Sequence, residues 1–244
     1  MIVIAELLGV PVDDRSRFKR WSDAMVTGVR EAEEAESVDA GALRVDDPQR
    51  EMSQYFQDMI AWRRKHPGDD LISDLLEATL DGEHLTAGEL LGFCVLLLVA
   101  GNETTTNLIG NAVDTILDHP ECMNTLRNTP GDWGPLIEEV LRFRSPVQSM
   151  YRVCRVPTQL EEVDLDPGDA LVAWIGAANH DPAQFQEPER FWADRSPNRH
   201  IAFGHGVHFC LGAPLALLEA SIALLGLYTR FPNLRRAGDK YRQP

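Results

Sequence analysis

Apolar residues recur at helical spacing through the first half of the chain, and that period predicts a series of amphipathic helices. Over Val12 to Arg30, Phe18, Trp21, Met25 and Val29 keep this spacing, behind Pro11 and the aspartates Asp13 and Asp14. Gly28 falls inside the pattern and weakens it toward its end. The acidic, small-residue stretch from Glu33 to Asp47 reads as a loop or a frayed helix end. Pro48 to Lys65 predicts a second amphipathic helix, stopped by His66-Pro67-Gly68, and Asp70 to Leu80 a third, ended by Asp81-Gly82.

Thr86-Ala87-Gly88-Glu89 then has the spacing of a capping box in front of an apolar run. A long helix is expected to about His119, where Pro120 closes it. Pro120 to Arg127 and Trp133 to Phe143 predict further helices. The period changes between Leu160 and Ile175, where β-favouring residues are broken by the turn Asp166-Pro167-Gly168-Asp169. Beyond Asn179 the chain turns irregular and rich in Pro, Asp and Arg. It regains order in a glycine-punctuated loop, Phe203 to Gly212, and a last helix, Pro214 to Phe231. The sequence holds no internal repeat and no low-complexity tract. The expected fold is mainly α with a small β region.

Composition narrows the picture. A chain of 244 residues that is 44% hydrophobic and 25% charged can bury a sizeable core, in one large domain or two small ones. Its net charge of −15 would repel a phosphate backbone, so nucleic acid is not an expected partner. Met1 to Glu6 has no basic segment ahead of its apolar residues and does not read as a signal peptide. The longest apolar run, Leu90 to Gly101, is short for a bilayer and reads as a buried helix. A soluble, cytoplasmic protein away from membranes is expected.

The four cysteines, Cys94, Cys122, Cys154 and Cys210, form no C-x-x-C pair and no zinc spacing. The first three read as small buried hydrophobes. Cys210 stands in Phe203-Gly204-His205-Gly206-Val207-His208-Phe209-Cys210-Leu211-Gly212, just before the last helix. The glycines permit positive φ and close backbone approach, and the N–H groups at a helix start favour a thiolate. On those grounds alone Cys210 is a core residue, a nucleophile or a metal ligand.

The full spacing F-G-x-G-x-H-x-C-x-G resembles the haem-binding loop of the cytochrome P-450 family, with every fixed position filled. The resemblance implies haem b as cofactor and Cys210 as the iron ligand. It places Phe203, Gly204 and Gly206 around the thiolate and His208 on a haem propionate. Within the long helix, Ala100-Gly101-Asn102-Glu103-Thr104-Thr105 puts polar residues into an apolar run, where burial is costly. Thr104 can bond the Ala100 carbonyl and open the helix locally. This segment is similar to the family's A-G-x-[D/E]-T-T motif. By that match Ala100 and Gly101 line the cofactor, and Glu103 and Thr104 are an acid–alcohol pair relaying protons toward dioxygen.

Glu139 and Arg142 lie three apart on one helix, where most such pairs are solvated. Their spacing matches the family's E-x-x-R motif, a structural lock whose third member would be Arg190 or Arg195. Arg152 sits where the family has a propionate-binding arginine, and a guanidinium suits that carboxylate. Asn179-His180-Asp181-Pro182 also resembles a family segment but carries no assigned chemistry. Leu217 departs from the arginine common in relatives.

The likeness runs from Met1 to Arg230 and implies a single domain over 1–244 that is partial. Met1 to Pro11 is similar to a mid-chain stretch. The family's N-terminal helices and first strands would precede it, and a last β-hairpin would follow Pro244. The implied activity is that of a monooxygenase. It would take electrons from a small redox protein of the ferredoxin type and insert one oxygen atom from dioxygen into an apolar organic molecule. Val99, Ala100 and Val147 to Tyr151 are candidate pocket wall by position. Two other readings stand beside it: a truncated, non-catalytic product that binds haem poorly or not at all, and a haem-binding sensor without turnover. Glu103-Thr104 argues against the sensor, which needs no proton relay.

Overall fold

The computed structural model describes residues 2–34, 47–123 and 131–238. It falls into two compact units, Met1–Glu103 and Thr104–Pro244, which are described separately.

The first unit is helical: α1 (Ile2–Leu7), α2 (Arg15–Glu34), α3 (Asp47–Arg63), α4 (Leu71–Glu77) and the first part of α5 (Ala87–Asp118). The amphipathic faces read from the sequence meet in an aromatic centre. Phe18 and Trp21 of α2 are fully buried with Phe56 of α3, and Phe18 meets Trp21, Tyr55 and Phe56 at ring distances of 5.1, 5.5 and 5.5 Å. Gly28 does not interrupt α2. Residues 35–46 of the expected loop lie outside the described residues. The short helix α1 was not anticipated by the periodicity.

The expected third helix is shorter than its pattern. Asp70 caps α4, accepting from the Ser73 N–H at 2.9 Å, but the helix ends at Glu77. Thr79–Leu80 instead pairs with Glu83–His84 as the hairpin β1–β2. Asp81 and Gly82 turn it with φ of 54° and 83°, the geometry a two-residue Asp-Gly turn demands. The capping box forms as expected. Thr86 N–H donates to Glu89 Oε2 at 2.8 Å and Glu89 N–H to Thr86 Oγ1 at 3.2 Å, an arrangement worth about 1 kcal/mol.

The second unit holds the rest of α5, then α6 (Gly134–Phe143), α7 (Ile175–Ala178) and α8 (Ala213–Arg230). Of the helix expected over Pro120 to Arg127, a single 3-10 turn over Pro120–Cys122 is seen, and 124–130 lie outside the described residues. Leu108, Ala112 and Ile116 of α5, Leu136, Ile137, Val140 and Leu141 of α6, and Ala220 and Leu224 of α8 form its core. Strand structure begins earlier than expected, at Met150. β3 (Met150–Val153) pairs antiparallel with β6 (Ala170–Ala173), and β4 (Thr158–Leu160) with β5 (Val163–Leu165).

Two described helices, α5 and α8, are long and apolar enough to cross a membrane by length and composition. α5 has the length expected from the sequence, and the apolar run Leu90 to Gly101 is only a part of it. Core helices of soluble proteins pass the same test, and α5 carries Asn102, Glu103 and Thr104 near its middle. α8 leaves Leu218, Ile222 and Leu225 exposed at helical spacing.

Candidate haem-thiolate site

The Cys210 loop is built by its glycines. Gly204 and Gly206 take φ of 75° and 74°, values that side-chain-bearing residues rarely adopt. They fold the chain so that the Cys210 N–H donates to the Phe203 carbonyl at 2.9 Å. A second turn closes inside it, with Phe209 N–H donating to the Gly206 carbonyl at 3.0 Å. Phe203 is half-buried against the core and meets Phe209 edge-on at 6.2 Å. Helix α8 starts three residues after Cys210, and a Cβ on Gly212 would stand 3.8 Å from the Cys210 sulfur.

Around the half-exposed Cys210, Val207, Phe209 and Leu211 are exposed. His208 is exposed at the end of the 3-10 turn Gly206–His208. Arg152 stands exposed on β3. Its Nη1 donates to the Tyr151 carbonyl at 2.8 Å, and no carboxylate pairs with it among the described residues.

On α5 the segment Ala100–Thr105 is helical throughout. Glu103 is exposed, Thr104 half-buried and Thr105 buried. Two neighbours have work within the first unit. A Cβ on Gly101 would come 3.0 Å from Ile4 Cδ1, so the glycine lets α1 lie close to α5. Asn102 Nδ2 donates to the buried Ser22 hydroxyl at 2.9 Å, tying α5 to α2.

The Glu139 centre is fully resolved. Arg142 Nε and Nη2 donate to Glu139 Oε2 and Oε1 at 2.8 and 2.9 Å, with both side chains fully buried. Arg195, not Arg190, completes the triad: its Nε lies 3.0 Å from each Glu139 oxygen. The Arg190 side chain is exposed, over the Trp192 ring and 3.4 Å from Glu187. It takes part through its backbone carbonyl, which accepts from Arg142 Nη2 at 3.2 Å and Arg195 Nη2 at 2.8 Å. Two donors were not foreseen. Trp192 N–H reaches Glu139 Oε1 at 2.9 Å and Asn198 Nδ2 reaches Oε2 at 3.2 Å. Nothing local in the sequence marks either, since both arrive from more than fifty residues away.

Comparison with known proteins points to the same family. The family model for cytochrome P450 matches residues 135–234. Cytochrome P450 109 of Bacillus spizizenii is 43% identical over 237 residues, covering 97% of this chain and 58% of that protein. The putative cytochrome P450 YjiB of Bacillus subtilis is 46% identical over 235 residues, covering 96% of this chain and 59% of its own length. The crystal structure of CYP109E1 from Bacillus megaterium in complex with testosterone superposes with a TM-score of 0.85 at 41% identity, covering 99% of this chain and 64% of that one. The chain is similar to cytochrome P450 proteins along nearly all of its length, and spans under two thirds of the length of these relatives. Members of the family bind haem b.

The residues present fit such a group. One soft sulfur in an apolar surround suits a flat apolar macrocycle whose own nitrogens complete the iron's coordination. A bare ion would need several protein ligands, and no cluster of three or more His, Cys, Asp or Glu suited to that occurs among the described residues.

Proposed function

We propose that this chain forms the haem-thiolate centre of a soluble, cytoplasmic monooxygenase. It would oxidise an apolar small organic molecule with dioxygen, using electrons from a small redox protein of the ferredoxin type. The bound haem supplies the oxygen chemistry, with a thiolate ligand pushing electron density onto its iron. Cys210 provides that thiolate, and the hydrogen bond from its N–H to the Phe203 carbonyl holds the sulfur in place. Arg152 and His208 take the propionates. By their match to the A-G-x-[D/E]-T-T motif, Ala100 and Gly101 would line the cofactor, and Glu103 and Thr104 would pass protons toward dioxygen. Glu139, Arg142 and Arg195 act as a buried lock and take no part in the chemistry. All of these residues belong to one domain that continues in the longer relatives.

The observation that carries this reading is the filled F-G-x-G-x-H-x-C-x-G loop, closed by the 2.9 Å bond between Cys210 N and Phe203 O. An apolar substrate class is supported by the testosterone in the CYP109E1 complex. A second reading has these 244 residues holding haem weakly and not turning over; it is favoured by the exposure of Val207, Phe209 and Leu211 around Cys210.

The test is the carbon-monoxide difference spectrum of the haem-supplemented, dithionite-reduced chain. A red-shifted Soret band of thiolate type supports the proposal. A haem–CO band without the shift removes Cys210 as ligand, and no haem signal favours the second reading.

A further inference from the structure

Asn179, at the end of α7, is fully buried and uses both ends of its side-chain amide. Oδ1 accepts from the Ile201 N–H at 2.8 Å. Nδ2 donates to Ser145 Oγ at 2.8 Å, and that hydroxyl donates to the Leu141 carbonyl at 2.7 Å. The amide has one orientation only, because a peptide N–H can only donate and the Ser145 proton is already committed. The Asn179 carbonyl in turn accepts from Arg142 Nη1 at 2.9 Å.

Two segments leave this residue for different parts of the candidate site. Ile201 leads through Phe203 to Cys210, with the Gly204 N–H donating to the Ile201 carbonyl at 2.9 Å. Ser145 leads through Gln148 to β3 and Arg152. Gln148 is held on the same side: its Nε2 donates to the Ser145 carbonyl at 2.5 Å, and its own carbonyl accepts from the Gly176 N–H at 3.0 Å. Gly176 has no room for a side chain, since a Cβ there would meet Gln148 Oε1. Both arms are therefore pinned to one short element, and Asn179 is where they join.

We propose that Asn179 is a positioning residue of the haem site, setting the spacing between the thiolate arm (Ile201 to Cys210) and the propionate arm (Ser145 to Arg152). The inference rests on the roles proposed for Cys210 and Arg152. Only a side chain of this reach with a donor and an acceptor serves both arms. Aspartate keeps the acceptor alone, and alanine leaves the Ile201 N–H without its partner in the interior.

The experiment compares wild type, Asn179→Ala, Asn179→Asp and Ser145→Ala in the haem-loaded protein. Two quantities are read at a temperature where each far-UV spectrum matches wild type: the share of the reduced CO complex with the thiolate-type band, and the rate of haem transfer to excess apomyoglobin. Asn179→Ala is expected to lose much of the thiolate band and to release haem about tenfold faster, from the loss of buried hydrogen bonds. Ser145→Ala should release haem faster while keeping the thiolate band, because only the propionate arm is freed. Asn179→Asp should keep more of that band than Asn179→Ala. A folded Asn179→Ala with wild-type band and release rate overturns the inference. If Asn179→Ala does not fold, Ser145→Ala with an unchanged release rate overturns it equally. A wild-type chain that holds haem without a thiolate band sinks the Cys210 assignment itself, a failure distinct from the others.

Discussion

Arg195 Nε lies 3.0 Å from both carboxylate oxygens of Glu139, fifty-six residues away in sequence, while Arg142 grips the same two oxygens from one helical turn away. One carboxylate thus faces two guanidiniums, a backbone N–H from Trp192 and an amide from Asn198. The spare guanidinium donors are taken by carbonyls of Asn179, Gln186, Pro188 and Arg190. Such satisfaction is what makes a buried charge cluster tolerable. It also fastens α6 to the segment that leads toward the Cys210 loop.

Removing one member should therefore be costly. Arg195→Ala leaves Glu139 short of a cation in the interior and is expected to lower stability by about 3–5 kcal/mol. Arg190→Ala removes only an exposed side chain and should change it by less than about 0.5 kcal/mol. Urea midpoints of the two variants check the pair. Equal losses, or the reverse order, would mean that Arg190 carries the triad in solution.

Much of this centre could be read in the sequence, because its chemistry demands fixed residue types at fixed spacing. Glycines at 204 and 206 are dictated by φ, and the capping box at Thr86 and Glu89 needs only three residues of separation. What was not legible depends on distant partners. Arg190 and Arg195 look alike locally, and only the fold turns one inward. Thr79-Leu80 extends the apolar pattern of α4 but is captured by a hairpin turn at Asp81-Gly82. β3 has no alternation to read, since all four of its residues are exposed. Gly101, read for its motif, also serves the packing of Ile4.

Glu51 makes the first unit sensitive to acid. Its carboxylate accepts from Trp21 Nε1 at 3.1 Å, Arg17 Nη2 at 2.9 Å and Arg20 Nη2 at 2.7 Å. These donors, Trp21 foremost, hold its pKa down to about 2 from an ordinary 4.5. A depressed folded pKa stabilises above the unfolded value, and that contribution fades as pH falls from about 4.5 toward 2. Glu51→Gln should therefore melt below wild type near neutrality, and the gap should narrow through that window. A gap independent of pH would show that the carboxylate charge is not what ties α3 to α2.

The relay role proposed for Thr104 can be tested without touching Cys210. It is half-buried on a helix that runs unbroken past it, beside the exposed Glu103. Thr104→Ala removes a hydroxyl able to pass a proton and preserves the helix. In an active, haem-loaded protein, a larger share of electrons should leave as hydrogen peroxide instead of product, with the reduced CO spectrum unchanged. Thr104→Ser should restore coupling. Wild-type coupling in the alanine variant would remove Thr104 from the relay.

The four thiols should separate cleanly toward an alkylating reagent. Burial pushes the Cys94 thiol up to about 12, and burial with the nearby Glu121 carboxylate pushes Cys122 up to about 11. The thiolate is the nucleophile, so neither should react near pH 8. Cys154 and Cys210 are half-exposed, with the Cys154 thiol donating to the Val156 carbonyl at 2.9 Å. Iodoacetamide on the haem-free chain should therefore label Cys154 and Cys210, as mass spectrometry of the digest would report. Haem loading should then withdraw Cys210 alone from the labelled set, because coordination to iron draws electron density from the sulfur and the macrocycle shields it, while Cys154 keeps its surroundings. Protection of both thiols would point to a general tightening of the fold. Continued labelling of Cys210 in a chain carrying stoichiometric haem would mean that the iron is held by some other residue.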